Sequence, residues 1–128
     1  MRLLLDTHIA LWAITDSPAL PAEARRHILS SHNEIYVSAA SIWEISIKHG
    51  LGRGNIPVSG NEALDYFTQA GYMMLDISTL HAAFVETLPL HHSDPFDRML
   101  VAQALSEPMR LLTHDKVIAA YSDTVILV

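Results

Sequence analysis

The sequence predicts an α/β fold of three layers, with a central parallel sheet of about five strands flanked by helices. Short apolar runs alternate along the chain with longer stretches of helical periodicity, which is typical of strand–helix–strand units. The runs RLLL and RLLT place leucines at consecutive positions, as expected for strands buried on both faces. The chain has 128 residues, of which 50% are hydrophobic and 17% charged. This length and composition fit one domain with a sizeable core.

Five apolar segments, each bounded by polar or turn-forming residues, are predicted to form the strands. In chain order they are Arg2–Leu5, Glu34–Val37, Tyr72–Leu75, Met109–Leu112 and Val125–Val128. No internal repeat and no long linker interrupts this series, so residues 1–128 are predicted to form a single domain. In open parallel sheets, sites lie beyond the carboxyl ends of the strands, where the strand order reverses.

Seven segments with helical periodicity lie between these strands. In chain order they are His8–Ile14, Pro21–Ser31, Ala39–Gly50, Glu62–Ala70, Ser78–Leu88, Pro95–Leu105 and Lys116–Tyr121. Pro21 and Pro95 suit a first helical turn, and Ser78 and Asp94 suit the position of an N-cap. These residues support the predicted starts of three helices.

Composition and charge exclude several classes of protein. Eight basic and 14 acidic residues give a net charge of −6, which disfavours a protein that holds nucleic acid by bulk positive charge. The chain has no cysteine, so a disulfide scaffold, a thiolate nucleophile and a Cys-ligated metal are excluded. The first apolar stretch is too short and too polar for a membrane span, and it lacks a signal-peptide cleavage site. We therefore expect a soluble cytoplasmic domain.

Two aspartates directly follow predicted strands. Asp6 follows RLLL, and Asp115 follows RLLTH. If the first and fourth strands are neighbours in the sheet, the two carboxylates converge at its carboxyl edge. The alternative is that each aspartate only caps the helix that begins after it.

Glu44 lies in the helical segment SAASIWEISIKHGL. At helical spacing its neighbours include apolar residues, which places it on or beside the buried face. A buried glutamate is rare unless it is paired or binds a metal. Two alternatives remain open, since Ser41 and Glu44 have capping-box spacing and Glu44 and Lys48 can form an exposed i,i+4 pair.

The segment HHSDPFDRMLVAQA is the most informative part of the chain. Asp94 is predicted to cap a helix on which Asp97 shares a face with Leu100 and Val101, and this face should pack on the sheet. Two like charges at i,i+3 repel each other, and a divalent metal would offset that repulsion. Asp94 can instead pair with Arg98 at i,i+4, so Asp97 ranks first as a ligand.

In this fold four carboxylates gather at one end of the sheet. They belong to Asp6, Glu44, Asp97 and Asp115. Such a cluster repels itself unless protons or cations intervene, and hard oxygen ligands suit Mg²⁺ or Mn²⁺. Without these four and Asp94, nine acidic and eight basic residues remain. Most of the net acidity is thus in the predicted site, and the remaining surface need not repel a polyanion.

Four segments resemble PIN-domain ribonucleases, and most closely the VapC-type toxins of prokaryotic toxin–antitoxin pairs. They are LLLDTHIALW, SAASIWEISIKHGLG, SDPFDRMLVAQAL and LLTHDKVIAAY, in the order and spacing of the family and across nearly the whole chain. By motif, the four family acids correspond to Asp6, Glu44, Asp97 and Asp115. Asp94 is common in the DPFDR subgroup but is not one of the four.

This resemblance implies a PIN-like fold, dependence on Mg²⁺ or Mn²⁺, and endoribonuclease activity that leaves a 5′-phosphate and a 3′-hydroxyl. It also implies a homodimer that is inhibited by a cognate antitoxin protein in a hetero-oligomer. All four acids are expected to be catalytic and metal-binding, with Asp6 and Asp97 as the first direct ligands. Glu44 and Asp115 can act directly or through water, and the sequence leaves these roles open.

Further contacts to RNA are predicted from residues that flank the acids. Thr7 and Thr113 can orient a carboxylate or contact phosphate, or they can be local cap hydroxyls. Arg98 and Lys116 are candidate phosphate contacts. Arg98 can instead form an ion pair with Asp94, and Lys116 can instead be an ordinary solvated charge. Lys48 and Arg53 are also candidate phosphate contacts. The alternative for Lys48 is an ion pair with Glu44, and the alternative for Arg53 is an ordinary solvated charge.

Histidines and tryptophans give weaker signals. The eight histidines form no HExxH motif and no structural zinc spacing, although His8, His92 and His114 can line an RNA channel. Trp12 and Trp43 lie among apolar neighbours, and packing in the core or a dimer interface is the favoured interpretation over stacking on bases.

Two functions from other classes are alternatives. A phosphorelay receiver has a similar length, but it needs an acidic pair after the first strand and a lysine after the last, and this chain has neither. A non-catalytic PIN-like binding module would be indicated by loss of a core acid, and none is lost.

Overall fold

The computed structural model describes residues 1–128 and contains one five-stranded parallel sheet. The strands are β1 (Arg2–Leu5), β2 (Glu34–Ser38), β3 (Met73–Leu75), β4 (Arg110–Thr113) and β5 (Ile126–Leu127). Their order across the sheet is β3-β2-β1-β4-β5, and every neighbouring pair is parallel. The predicted fold class is therefore confirmed.

Seven α-helices and one 3₁₀ turn connect the strands. They are α1 (Thr7–Ile14), α2 (Ala22–Leu29), α3 (Ala39–Gly50), α4 (Gly60–Gln69), α5 (Thr79–Phe84), the 3₁₀ turn Val85–Thr87, α6 (Pro95–Ser106) and α7 (Lys116–Ala119). None of these helices combines the length and apolar character that a membrane crossing requires.

The sheet is buried on both faces because successive side chains of its central strand point to opposite sides. Leu3 and Leu5 of β1 pack into one apolar cluster, together with residues of α1, α2, α3 and α4. Leu4 packs into a second cluster on the other face, which is dominated by α6. All three leucines are fully buried. Consecutive leucines thus explain why helices cover the sheet on two sides.

The strand order brings the predicted acidic residues to one edge. β1 lies between β2 and β4, with Leu5 opposite Val37 on one side and Leu112 on the other. The segments that leave β1, β2 and β4 at their carboxyl ends are consequently neighbours. A phosphorelay receiver has the third strand at the centre of its sheet, whereas β3 lies at the edge here.

Most predicted boundaries differ from the structure by one or a few residues, and contacts explain some of these differences. The helix predicted over Ser78–Leu88 ends at Phe84 and continues as a 3₁₀ turn, because the Val85 carbonyl accepts hydrogen bonds from Arg98 of α6 and from the Leu88 backbone. Pro21 is the N-cap of α2 and not its first helical residue. The fourth strand is shifted by one residue to Arg110–Thr113, since Thr113 pairs with β5.

Candidate functional site

Asp6 lies where β1 ends and α1 begins. Its backbone N–H donates to the Leu112 carbonyl at 3.0 Å, so the pairing of β1 with β4 continues up to this residue. Its Oδ1 accepts the Ile9 N–H at 2.8 Å as the N-cap of α1. The side chain is 5% exposed, and burial raises the pKa of Asp6 although two hydrogen bonds act in the opposite direction. Asp6 is therefore both a helix cap and a buried acid.

Thr113 connects the two strand-end aspartates. Its hydroxyl donates to Oδ2 of Asp6 and accepts the Asp115 backbone N–H at 3.0 Å. Because Thr113 is fully buried, its hydroxyl orients a carboxylate and does not reach a ligand. Thr7 is also buried, and its hydroxyl pairs with that of Ser41 at 2.9 Å. The carboxylate-orienting interpretation is the one that the geometry supports for Thr113.

Glu44 lies on the buried face of α3, as its spacing predicted, with 3% exposure. Its Oε2 accepts a hydrogen bond from Lys48 Nζ at 2.5 Å, and only a third of the Lys48 side chain is exposed. Its Oε1 is buried and has no hydrogen-bond partner. The i,i+4 pair predicted as an alternative is present, but it is partly buried and leaves one carboxylate oxygen unsatisfied. Ser41 lies inside α3 and forms no capping box.

Asp97 occupies the first turn of α6 and is a second acid with a raised pKa. Burial raises the pKa of Asp97 to about 7, with further repulsion from Asp94, Glu44 and Asp6. The ring of His92 contacts Oδ2 of Asp97 at 3.4 Å and acts in the opposite direction. The structure thus brings together an acidic cluster of Asp6, Glu44, Asp94 and Asp97.

Asp94 is the N-cap of α6, as predicted. One oxygen, Oδ1, accepts the N–H groups of Phe96 at 2.9 Å and Asp97 at 3.1 Å. The predicted alternative of an ion pair between Asp94 and Arg98 is wrong. Arg98 donates instead to the carbonyls of Pro89 and Val85 and to the Tyr121 hydroxyl.

Asp115 caps α7 by accepting the Val117 N–H at 2.8 Å. It lies close enough to Asp6 to raise the pKa of that residue by repulsion. Both carboxylates line an open groove of about 520 Å³. We call it the Trp12 groove, and its lining residues are Asp6, His8, Trp12, His114, Asp115 and Lys116.

Residues 3–123 match the PIN domain family. The chain belongs to the PIN domain family. A comparison with curated proteins finds no relative by sequence. Among solved structures, VapBC2 from Rickettsia felis bound to a DNA fragment from their promoter is similar at a TM-score of 0.71 and 19% identity, over 100% of this chain and 98% of that chain.

Two further solved structures share this fold. VapBC from Salmonella typhimurium bound to DNA matches at a TM-score of 0.69 and 16% identity, over 100% of this chain and 97% of that chain. FitAcB from Neisseria gonorrhoeae matches at 0.64 and 17% identity, over 98% of this chain and 96% of that chain. At these identities the likeness is one of fold.

The acidic cluster of this PIN domain fits a divalent cation by its chemistry. Its donors are hard carboxylate oxygens, and the buried Oε1 of Glu44 lacks a partner. Burial, and after it the neighbouring carboxylates, raise the pKa of Asp97. No three histidine or carboxylate side chains converge closely enough to hold an ion together in the conformations described. Lys48 and Thr113 each donate a hydrogen bond to one carboxylate oxygen of the cluster, on Glu44 and Asp6 respectively.

The PIN domain also contains one residue beside the acids that the sequence did not assign, Tyr121, which contacts the predicted channel residue His92. The Tyr121 hydroxyl and Nδ1 of His92 share a hydrogen bond at 2.8 Å, and His92 in turn contacts Asp97. The spacing of five residues between His92 and Asp97 gives no periodic signal, and Tyr121 lies 24 residues further along the sequence. These contacts depend on how the loop before α6 meets the end of α7.

Proposed function

We propose that this PIN-domain protein is a Mg²⁺- or Mn²⁺-dependent endoribonuclease and the toxin of a toxin–antitoxin pair. The observation that supports this best is the acidic cluster at the carboxyl edge of the sheet, with an unpartnered buried oxygen on Glu44 and a pKa of about 7 on Asp97. If these carboxylates served only to stabilise the fold, their repulsion of one another would have no explanation.

Asp6, Glu44 and Asp97 are the residues that would hold the ion, and Asp115 would complete the set from the Trp12 groove. When bound, a divalent ion supplies a Lewis acid that makes water more acidic and neutralises charge on a phosphodiester. Thr113 keeps Asp6 in a fixed orientation by donating to its Oδ2. The helix caps on Asp6, Asp94 and Asp115 fix three carboxylates relative to the sheet, which preorganises the site.

The proposed reaction is hydrolysis of an RNA phosphodiester. Water adds to phosphorus, the P–O3′ bond breaks, and the products are a 5′-phosphate and a 3′-hydroxyl. Lys116, which is exposed in the Trp12 groove, is the proposed phosphate contact beside the acids. Arg98 is engaged with backbone carbonyls, so its proposed contribution is to hold the loop before α6 in place.

A cognate antitoxin and a second copy of the chain are the proposed protein partners, in a homodimer and a toxin–antitoxin hetero-oligomer of the cytoplasm. Support comes from the fold likeness to VapBC structures. Trp43 is 58% exposed and packs edge-on against Phe96 of α6 at 5.1 Å, which makes it a candidate contact for the antitoxin near Asp97. A purified complex with the partner only at the opposite end of the sheet would contradict this.

The deciding experiment is RNA cleavage by the purified protein beside its Asp97→Asn variant. Total RNA and a transfer-RNA pool are incubated with Mg²⁺, with Mn²⁺ and with EDTA. Asp65→Asn, a change of an exposed aspartate on α4, is the matched control. We expect metal-dependent cleavage by the wild type and by Asp65→Asn, and a loss of at least about 100-fold in Asp97→Asn.

Two other outcomes would count against the proposal. Equal cleavage by Asp97→Asn would point to a contaminant or to another site. No cleavage by any form, together with a melting temperature that does not respond to metal, would favour a non-catalytic binding module. Toxicity is tested separately, since induced expression of the wild type should arrest bacterial growth and expression of Asp97→Asn should not.

A further inference from the structure

The Trp12 groove contains an aromatic surface beside the proposed cleavage site. Trp12 is half-buried on α1, and His8 lies one turn earlier on the same helix, with the ring centroids 5.9 Å apart and tilted by 43°. His114 approaches from the loop after β4 at 6.0 Å, edge-on. Neither imidazole lies flat on the indole, so no parallel ring covers the indole face.

The charges of the groove favour a neutral planar ligand over a free anion. Asp6 and Asp115 contribute two carboxylates, and Lys116 contributes the one ammonium group among the lining residues. Without a bound cation, an isolated phosphate would meet net negative charge here. A flat neutral ring can instead stack on Trp12 and hydrogen-bond to an imidazole, because a nucleobase has both a π-face and polar edges.

The Trp12 groove also lies next to the acidic cluster, where the phosphodiester would be cleaved. Asp6 caps α1, and Trp12 lies six residues along the same helix, which corresponds to about 9 Å of axial rise. Asp6 itself belongs both to the acidic cluster and to the groove lining. A base bound on Trp12 would therefore belong to a nucleotide close to the bond that is cut.

We propose that the Trp12 groove is a nucleobase-binding site, in which an unpaired base of single-stranded RNA stacks on Trp12 beside the cleaved phosphodiester. This inference rests on the proposed ribonuclease function and deepens it. The sequence favoured packing in the core or a dimer interface over base stacking for Trp12, and Trp12 does pack against the apolar cluster that contains Leu3 and Leu5. His8 and His114 flank the site, and the His114 ring is held by a 2.5 Å contact between Nδ1 and the Val128 carbonyl.

The first test is binding, which does not require catalysis. In an Asp97→Asn background, Trp43→Phe leaves Trp12 as the one tryptophan. The probes are six-nucleotide oligoadenylate, oligouridylate and an inorganic polyphosphate chain of matched charge, each with Mg²⁺. We expect quenching of Trp12 fluorescence by both oligonucleotides, more strongly by the purine, and none by polyphosphate. Equal quenching by polyphosphate, or no quenching by any probe, would overturn the proposal.

The second test separates this site from the nuclease proposal. Trp12→Leu keeps a smaller apolar side chain but removes the aromatic face, and Trp12→Phe restores a smaller aromatic face. With active protein and a single-stranded substrate, we expect KM to rise about 5- to 150-fold in Trp12→Leu and to recover partly in Trp12→Phe. Unchanged KM in Trp12→Leu would refute base stacking while leaving the nuclease function intact. A changed oligomeric state with unchanged KM would assign Trp12 to a protein interface.

Discussion

Lys48 Nζ lies 2.5 Å from Oε2 of Glu44, one helical turn away on α3. The pKa of Lys48 is raised chiefly by this hydrogen bond, with weaker attraction from Asp94 and Asp97. The ammonium group is thus an internal counter-ion of the acidic cluster. It satisfies one oxygen of Glu44 while the other has no partner.

Lys48→Met should destabilise the metal-free protein and enlarge its response to Mg²⁺. Removing the ammonium leaves a buried carboxylate unpaired, which costs about 1–3 kcal/mol, and it frees Oε2 of Glu44 for an ion. Melting temperatures in EDTA and in millimolar Mg²⁺ measure both effects. Lys116→Met, at an exposed lysine without an ion pair, is the stability control. An Mg²⁺ response smaller than that of the wild type would mean that Lys48 assists the ion.

Thr113→Val should destabilise the protein and reduce RNA cleavage. Valine matches threonine in shape but cannot donate to Oδ2 of Asp6 or accept the Asp115 N–H, so two buried polar groups lose a partner. The expected cost is about 1–3 kcal/mol by urea unfolding, with a lower kcat because Asp6 is no longer held in one orientation. Thr113→Ser should restore both. Thr79→Val, at an exposed threonine, should change neither.

The metal-free protein should become more stable as the pH falls from about 8 towards 5. The folded-state pKa of Asp97 is about 7, well above its ordinary value, so the folded state binds a proton more tightly than the unfolded state in this window. Ionised Asp97 destabilises the fold above pH 7, and this destabilisation disappears on acidification. The measurement is the melting temperature against pH in EDTA for the wild type and Asp97→Asn. Parallel curves would contradict the shifted pKa.

Much of the fold was predictable because its signals are local. Consecutive leucines in β1 and β4, and the N-cap aspartates Asp6, Asp94 and Asp115, define strand ends and helix starts that the structure confirms. The pairing of β1 with β4, on which the predicted convergence of Asp6 and Asp115 depended, is present in the sheet. The proximity of Asp6 and Asp115 then follows from the strand order.

The details that escaped prediction depend on contacts between distant segments. Nothing near Arg98 in the sequence indicates that it donates to the Val85 carbonyl, which also ends the α-helical part of α5. Spacing predicted the Glu44–Lys48 pair, but the depth of Glu44 and its unpartnered oxygen depend on packing of α3. Local patterns identify which residues can interact, and packing decides which interaction is made.

Asp94→Asn should retain stability and most of the cleavage activity. Asparagine is as good an N-cap as aspartate, so it can still accept the Phe96 and Asp97 N–H groups. We expect cleavage within about tenfold of wild type, against the much larger loss in Asp97→Asn, whereas Asp94→Ala should cost about 1 kcal/mol of stability. A loss in Asp94→Asn equal to that in Asp97→Asn would make Asp94 a metal ligand of the same rank.

A buried polar network around Gln103 links α3, which contains Glu44, to α6, which contains Asp97. Gln103 of α6 accepts a hydrogen bond from Ser38, the N-cap of α3, at 2.5 Å. It also donates to the Asp76 carbonyl at 3.3 Å. His81, itself buried, contacts Gln103 at 3.4 Å and Glu107 at 2.5 Å. The network fixes the start of α3 relative to α6.

Gln103→Met should therefore lower both stability and catalytic rate although it lies outside the acidic cluster. Methionine fills a similar volume but leaves the Ser38 hydroxyl and the Asp76 carbonyl without their partner, at a cost of about 1–3 kcal/mol. Because α3 is then less firmly capped, we expect kcat to fall severalfold with little change in KM. Urea unfolding and single-substrate kinetics measure the two effects, with Gln69→Met at an exposed glutamine as control. A stability loss with unchanged kcat would show that the network supports the fold without positioning the acids.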